Sequence, residues 1–146
     1  MTGSTVAGKV AIAGIGQTAF GKGLLPSERE LACMAVDAAL QDAGIEPGEI
    51  DGLGCYTMEA TPDFELLRSM GFGPLHWFAQ VSHGGGAGPG TVGQAAMAVA
   101  TGQCRAAVVW RARKRSAAAP RVWAQSSPGL SDHWKWSRPS GLLRPA

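Results

Sequence analysis

Short apolar runs alternate with helix-forming stretches along most of the chain, and this alternation restricts the possible folds more than any other feature. Four runs are long enough for buried strands but too short for independent helices, namely residues 9–15, 50–56, 77–81 and 105–110. A helix-forming stretch follows each of the first three. Parallel strands need crossover connections of a dozen or more residues, which are usually helical. The pattern therefore predicts an α/β fold of order βαβαβαβ, with a mostly parallel sheet covered by helices.

Three helices are expected, over residues 28–43, 61–71 and 91–100. The first has a complete set of end signals, since Ser27 and Glu30 fit the S-x-x-E capping box and Gly44 supplies a left-handed stop. Gly71 and Gly102 end the other two in the same way. The third helix is rich in alanine, so its small side chains suit close packing on a sheet.

The charge is distributed unevenly along the chain. Residues 1–104 hold four basic and ten acidic side chains, whereas residues 105–146 hold nine basic and one acidic. Three of the five tryptophans also lie after residue 113, among serine, proline and glycine. We therefore expect an α/β domain over residues 1–113, followed by a basic, tryptophan-rich loop segment over residues 114–146. Within a compact domain such a long irregular segment is usually functional or unfinished.

Cysteine, histidine and hydropathy indicate the class of protein. Cys33, Cys55 and Cys104 form no C-x-x-C pair, which suits a reducing compartment, and none is placed where a thiolate is favoured. They show no metal-ligand spacing with histidine, so no metal site is expected. No apolar run approaches the roughly 18 residues of a membrane span, and the start lacks a signal peptide. We expect a cytoplasmic protein with no membrane contact.

Two nucleotide-binding patterns overlap after the first predicted strand. Residues 14–19 have the G-x-G-x-x-A spacing of the dinucleotide fingerprint, and residues 16–22 match G-x-x-x-x-G-K. Both motifs need a helix that opens at the glycines, and residues 20–26 intervene before any helix begins. We therefore interpret the segment as a turn from strand to loop, where glycine permits the backbone conformation.

A glycine run at residues 84–90 comes directly before the third helix. Successive N–H groups at a helix start, with the helix dipole behind them, favour an anion, an oxyanion or a carbonyl oxygen. Gly84, Gly85 and Gly86 are the candidates for this cradle, and His83 is a weaker candidate for a catalytic or orienting group. An esterase oxyanion loop is similar, but no G-x-S-x-G elbow accompanies it. The alternative is a sharp turn that lets a helix start approach another backbone.

Three segments resemble the opening of the thiolase superfamily, and they are residues 10–22, 30–45 and 49–53. Their order of strand, T-x-F-G, helix, D-A-G-I and I-D-G is most similar to lipid-transfer or sterol-carrier thiolases, and to the thiolase-like aldolases of bacterial sterol side-chain breakdown. The resemblance extends to about Arg113, and residues 134–145 look like the loop after the family's fourth strand. It implies a thiolase-like N-terminal half, so we expect this chain alone to be inactive.

The resemblance also implies a reaction, because the nucleophilic cysteine of thiolases is missing here. Thiolases carry an acylated cysteine at the start of the third helix, and Gly85 stands at that position here. The family then implies retro-aldol cleavage of a β-hydroxyacyl-CoA from a sterol side chain, with coenzyme A thioester as substrate and no cofactor. Acyl transfer and a non-catalytic fragment are the alternatives. The resemblance also implies a homodimer through the Trp77–Val81 edge strand, and an OB-fold partner protein as in related aldolases.

Four cations cluster after the last predicted strand, and they are Arg111, Arg113, Lys114 and Arg115. Together with Trp123, Trp134 and Trp136 they allow single-stranded nucleic acid to be bound through phosphate contacts and stacking. A solvated loop is one alternative. The other, which we favour over nucleic acid, is a wall for the phosphates of coenzyme A, with Arg113 as a substrate-binding residue.

Overall fold

The computed structural model describes residues 6–21, 23–56, 61–81 and 86–114. In chain order its elements are helix α1 (Glu28–Ala43), a 3-10 turn (Pro47–Glu49), strand β1 (Gly52–Tyr56), helix α2 (Asp63–Met70), strand β2 (Trp77–Val81), helix α3 (Ala87–Ala100) and strand β3 (Ala107–Trp110). The expected α/β class is confirmed. The expected domain boundary at residue 113 stays a prediction.

The three strands form one parallel sheet in the order β2-β1-β3. The middle strand therefore pairs on both sides, and its Cys55 lies opposite Gln80 of β2 and Trp110 of β3. Because all three strands run in the same direction, their carboxyl ends meet at one edge of the sheet. The helices that follow the strands begin at that edge.

The two faces of β1 carry different side chains because successive residues of a strand point to opposite sides. Leu53 and Cys55 are buried in the core with residues of α1 and α2, such as Val36 and Leu66. The opposite face carries Gly52 and Gly54 and packs on α3. A Cβ atom at Gly54 would lie 3.0 Å from Cγ2 of Thr91 in α3. Glycine therefore lets α3 approach the sheet closely, as its small side chains predicted.

The ends of the first two helices agree with the expected signals. In α1 the hydroxyl of Ser27 accepts from the Glu30 N–H, and the Ser27 N–H donates to the Glu30 carboxylate, which completes the capping box. The Ser27 backbone N–H, and after it the Ser27 side chain, hold the pKa of the Glu30 carboxyl below its usual value. Gly44 and Gly71 adopt the left-handed conformation, with φ of 66° and 68°. Helix α3 differs, since it begins at Ala87, four residues before the expected start at residue 91.

The expected first strand at residues 9–15 is wrong for the described structure, which has no strand there. The segment lies against α1 instead, where the Ile15 N–H donates to Asp42 Oδ2 at 3.0 Å. A Cβ atom at Gly16 would lie only 2.1 Å from the Ala35 carbonyl oxygen, so glycine is needed for this approach. Ile12 and Ile15 are 75% and 77% exposed. Without a neighbouring strand among the described residues, the run has no ladder partner and stays irregular.

Asp51 fixes the amino edge of the sheet. Its Oδ1 accepts from the backbone N–H groups of Arg105 and Ala106 at 2.9 and 3.0 Å, just before β3 begins. Its Oδ2 lies 3.4 Å from Nε of Arg105 and 3.4 Å from Nδ1 of His76. Burial opposes the ionisation of this carboxyl, but the hydrogen bonds outweigh it and hold the pKa of Asp51 below its ordinary value. The carboxylate therefore adds to the backbone bonds that the Asp51 and Gly52 N–H groups donate to the Ala106 carbonyl oxygen where β3 meets β1.

The cysteines behave as small apolar residues in the described structure. Cys55 and Cys104 are buried, and Cys33 is half-buried against the core. Burial and the nearby Asp51 carboxylate raise the pKa of the Cys104 thiol. Among the described residues, no helix is both long and apolar enough to cross a membrane.

Candidate functional site

The carboxyl edge of the sheet is the candidate site, because the strand ends and the helix starts meet there. Strands β1, β2 and β3 end at Tyr56, Val81 and Trp110. Ligands of open parallel sheets bind outside the carboxyl ends of the strands. Glu28, at the start of α1, joins this edge, because its carboxylate accepts from the N–H groups of Thr61 at 2.8 Å and Lys114 at 3.4 Å.

The predicted glycine cradle is described only at its last member. Gly86 is the residue that precedes α3, and no side chain of the described residues caps this helix. Its carbonyl oxygen accepts from the Gly90 N–H at 3.0 Å, as a regular first turn requires. Gly84, Gly85 and His83 lie outside the described residues, so their roles stay predictions. Within the described residues, the N–H groups at the start of α3 are therefore left without a side-chain cap, as an anion or oxyanion site needs.

The alternative interpretation of the glycine run, a sharp turn that lets the helix start approach another backbone, has no support at Gly86 and Gly88, where an added Cβ atom would meet nothing within 4 Å. The close approach of α3 to the sheet lies further along the helix. There the contact of Thr91 with Gly54 brings the helix onto β1. The Thr91 hydroxyl donates to the Ala87 carbonyl oxygen at 2.7 Å and is buried. Close packing and an uncapped start are thus found in the same helix at different turns.

Cations follow β3 at the same edge. The Arg111 guanidinium lies 4.8 Å from the centre of the Tyr56 ring, within the range of a cation–π contact. Arg113 is half-buried two residues further on. The Lys114 ammonium donates to the Leu25 carbonyl oxygen at 3.1 Å. Three of the four predicted cations therefore lie at the carboxyl edge, and Arg115 lies outside the described residues together with the three tryptophans.

A polar cluster around a buried carboxylate at this edge was not expected from the sequence. Asp63, the first residue of α2, is only 8% exposed. Its Oδ2 accepts from Nε2 of Gln80 at 2.5 Å, and its Oδ1 accepts from Nε1 of Trp110 at 3.1 Å. The sequence offers one signal in retrospect, since Gln80 is the only polar residue of an otherwise apolar strand.

An open apolar groove of about 400 Å³ lies beside this cluster, between α2 and β2. Asp63 and Gln80 form its polar part, and its apolar walls include Phe64 and Phe78. These two rings are 62% and 50% exposed. Strand β2 is an edge of the described sheet, so the groove opens where the homodimer contact was predicted.

Comparisons with known proteins give several related matches, of which three are described here, while no family model matches the chain. The chain is 42% identical, over 98% of its length, to a steroid side-chain-cleaving aldolase of Thermomonospora curvata. It is 45% identical, over 73% of its length, to a 17-hydroxy-3-oxo-4-pregnene-20-carboxyl-CoA lyase of Mycobacterium tuberculosis. Among solved structures it is similar to an Ltp2-ChsH2(DUF35) aldolase, with a TM-score of 0.73 and 44% identity over 85% of the chain.

The chain spans only part of these proteins. It covers 38% and 28% of the two relatives and 32% of the chain in the solved structure. The chain is similar to sterol side-chain aldolases, and the region of this chain that contains the carboxyl edge is included in the similarity.

Proposed function

We propose that this chain is the N-terminal part of a thiolase-fold aldolase that cleaves the side chain of a sterol bound as a β-hydroxyacyl-CoA thioester. One observation carries the proposal, namely the 42% identity to a named steroid side-chain-cleaving aldolase over 98% of this chain. The thiolase-like assignment rests on the motifs of residues 10–22, 30–45 and 49–53. The name of the second relative, a pregnene-carboxyl-CoA lyase, supports a coenzyme A thioester as the substrate class.

The reaction needs a site that accepts negative charge on a thioester oxygen. In a retro-aldol step the β-hydroxyl loses its proton and becomes a ketone while the bond between the α and β carbons breaks. The electron pair moves to the thioester as an enolate, and the α carbon then takes a proton. Backbone N–H groups aimed at the enolate oxygen stabilise this charge. The uncapped start of α3 supports the assignment of this task to Gly84, Gly85 and Gly86, with His83 beside them.

The cations suit the phosphates of the same substrate. Arg113 is the substrate-binding residue of the proposal, and Arg111 lies on the Tyr56 ring at the same edge. Guanidinium groups pair with phosphate through two parallel hydrogen bonds. The alternative of a nucleic-acid module gains nothing from the described residues, because its tryptophans lie outside them.

Acyl transfer is the weaker alternative because the chain offers no suitable thiol. Gly85 stands where the resemblance places the nucleophile. The three cysteines lie on α1, on β1 and before β3, and the raised pKa of Cys104 opposes thiolate formation. Intact-mass measurement after incubation with an acyl-CoA should show no added acyl group. A stoichiometric thioester on any cysteine would favour acyl transfer over aldol chemistry.

Two protein partners belong to the proposal. A second copy would pair along β2, where Phe78 is half-exposed on an edge strand with apolar walls beside it. A DUF35 protein, which we take to be the OB-fold partner, would bind elsewhere on the complete enzyme. The two components in the name of the solved relative support that second partner.

Binding of coenzyme A and its thioesters tests the proposal without requiring turnover by this chain alone. Calorimetric titration of the chain with coenzyme A should give saturable binding that added RNA does not compete away. Arg113→Ala should weaken it, whereas Arg68→Ala, which removes an exposed cation near the end of α2, should not. Competition by RNA would favour the nucleic-acid module, and equal affinity of the two variants would remove Arg113 from the site.

A further inference from the structure

Asp63 connects the strands on both sides of β1, although it belongs to none of them. Its two oxygens accept from Gln80 on β2 and from Trp110 on β3. Both donors are register partners of Cys55, so the carboxylate lies over the middle strand close to its end. A buried carboxylate bonded through both oxygens to two rigid strands has little freedom to move.

One of the two donors also stands next to a residue of the candidate site. Trp110 immediately precedes Arg111, whose guanidinium lies over the Tyr56 ring. Tyr56 immediately follows Cys55 and is buried. The orientation of Trp110 therefore fixes where the chain leaves β3, and with it the direction in which Arg111 reaches back to the end of β1.

We infer that Asp63 is a positioning residue, which holds the Arg111–Tyr56 pair in place through the indole N–H of Trp110. Asp63 does not contact the substrate. The inference has two parts. The contact of the pair with the phosphates of coenzyme A rests on the proposed function. The link from Asp63 to the geometry of the pair is independent of the proposed function.

Two substitutions at Asp63 separate positioning from charge. In Asp63→Asn the oxygen still accepts from Trp110, and Gln80 can rotate its amide to accept from the new NH₂ group, so both bonds survive without the charge. In Asp63→Ala both bonds are lost. Trp110→Phe, which removes the indole N–H together with part of the buried ring system, replaces Asp63→Ala if that variant does not fold.

Asp51→Ala is the matched control. Asp51 is also buried and also links β3 to the middle of the sheet, but it does so at the opposite, amino edge. A merely structural effect of losing a buried carboxylate should appear in both alanine variants. A positioning effect should appear only at Asp63.

The ring of Tyr56 gives a direct readout because it is the only tyrosine in the chain. With ¹³C-labelled tyrosine, one set of ring resonances reports on the Arg111 contact. We expect these resonances to move in Asp63→Ala and Trp110→Phe and to keep their wild-type positions in Asp63→Asn and Asp51→Ala. Wild-type positions in Asp63→Ala, or equal displacement in Asp51→Ala, would overturn the inference.

Affinity for coenzyme A gives the functional readout. We expect Asp63→Ala to weaken binding by roughly tenfold, the lower end of what removing a supporting hydrogen bond costs at a metal site, and Asp63→Asn to restore it. Equal affinity of Asp63→Ala and wild type would overturn the role at the site. If the wild type itself does not bind coenzyme A, the proposed function fails, and the tyrosine resonances still decide the inference.

Discussion

Removal of the Asp51 side chain should be among the most damaging single changes in the described part of the chain. Its Oδ1 accepts two backbone N–H groups at the start of β3, and Asp51→Ala leaves both without that partner. A buried donor left unpaired costs about 1–3 kcal/mol, and these two bonds are only part-buried, so the lower end of that range predicts a loss of roughly 2–3 kcal/mol. A domain of this size has about 5–15 kcal/mol in total. The variant should therefore keep its fold in the absence of denaturant but unfold at a clearly lower urea concentration than the wild type.

Asp51→Asn should be milder because one oxygen accepts both backbone bonds in the wild type. An amide oxygen in the same place keeps both, and only the assistance of the charge is lost. The difference between charged and neutral hydrogen bonds, roughly 1 kcal/mol for each, predicts a loss of about 1–2 kcal/mol. Asp37→Ala is the control, since that exposed carboxylate contacts Gln41 within the same helix and should cost little.

The pH dependence has a definite sign. The pKa of Asp51 is lowered in the folded state, so its ionised form stabilises the fold above the ordinary aspartate pKa of about 3.9. This contribution is lost as the pH falls through the lower folded-state value. The stability gap between wild type and Asp51→Asn should be constant at neutral pH and narrow below about pH 4.

Urea unfolding followed by tryptophan fluorescence measures these differences, since Trp110 is buried beside the sheet. The expected order of stability is wild type, then Asp51→Asn, then Asp51→Ala, with Asp37→Ala close to wild type. A loss below 1 kcal/mol in Asp51→Ala would mean that water replaces the carboxylate at the start of β3. A gap that widens in acid would contradict the assigned direction of the pKa shift.

Three further predictions follow from packing and exposure. Gly54→Ala should destabilise the fold by about 1–3 kcal/mol in the same urea assay because its Cβ would press on Thr91. Gly93→Ala is the control, since it has open space at its Cβ and should stabilise α3 by roughly 0.5–1 kcal/mol. Equal effects of the two substitutions would contradict the close packing of α3. Phe78→Lys should shift sedimentation profiles toward monomer and Met97→Lys on α3 should not, and a wild type that sediments as a monomer at micromolar concentration would remove the β2 dimer. Cys104 should react with a thiol reagent more slowly than half-buried Cys33 in the native state, since burial raises its pKa, and equal rates would contradict that burial.

Local signals predicted the elements whose ends are determined within a few residues. Helix α1 has the expected bounds of residues 28–43 because its capping box and its left-handed glycine are contained in the contiguous segment from Ser27 to Gly44. Strand β2 also has its expected bounds. In both elements the side-chain pattern and the end signals agree, so tertiary contacts do not change the predicted bounds.

Tertiary contacts decided the elements that were wrong. Residues 9–15 have the composition of a strand, but a strand also needs a neighbour, and the segment lies against α1 instead. The start of α3 could not be placed because the run of glycine and proline before residue 91 lowers helix propensity. Its first turn is nonetheless helical, closed by the bond from the Gly90 N–H to the Gly86 carbonyl oxygen.

Neither Asp51 nor Asp63 was predicted from the sequence to connect the strands. Each is a buried carboxylate that connects neighbouring strands, one at each end of the sheet. Asp51 accepts mainly from backbone N–H groups, which nearly every residue supplies. Whichever residues precede β3 can therefore donate to its carboxylate. Asp63 needs an amide at residue 80 and an indole at residue 110, 17 and 47 positions away. No local pattern pairs such distant side chains, so the contact that we assign to the geometry of the site becomes visible only in the folded sheet.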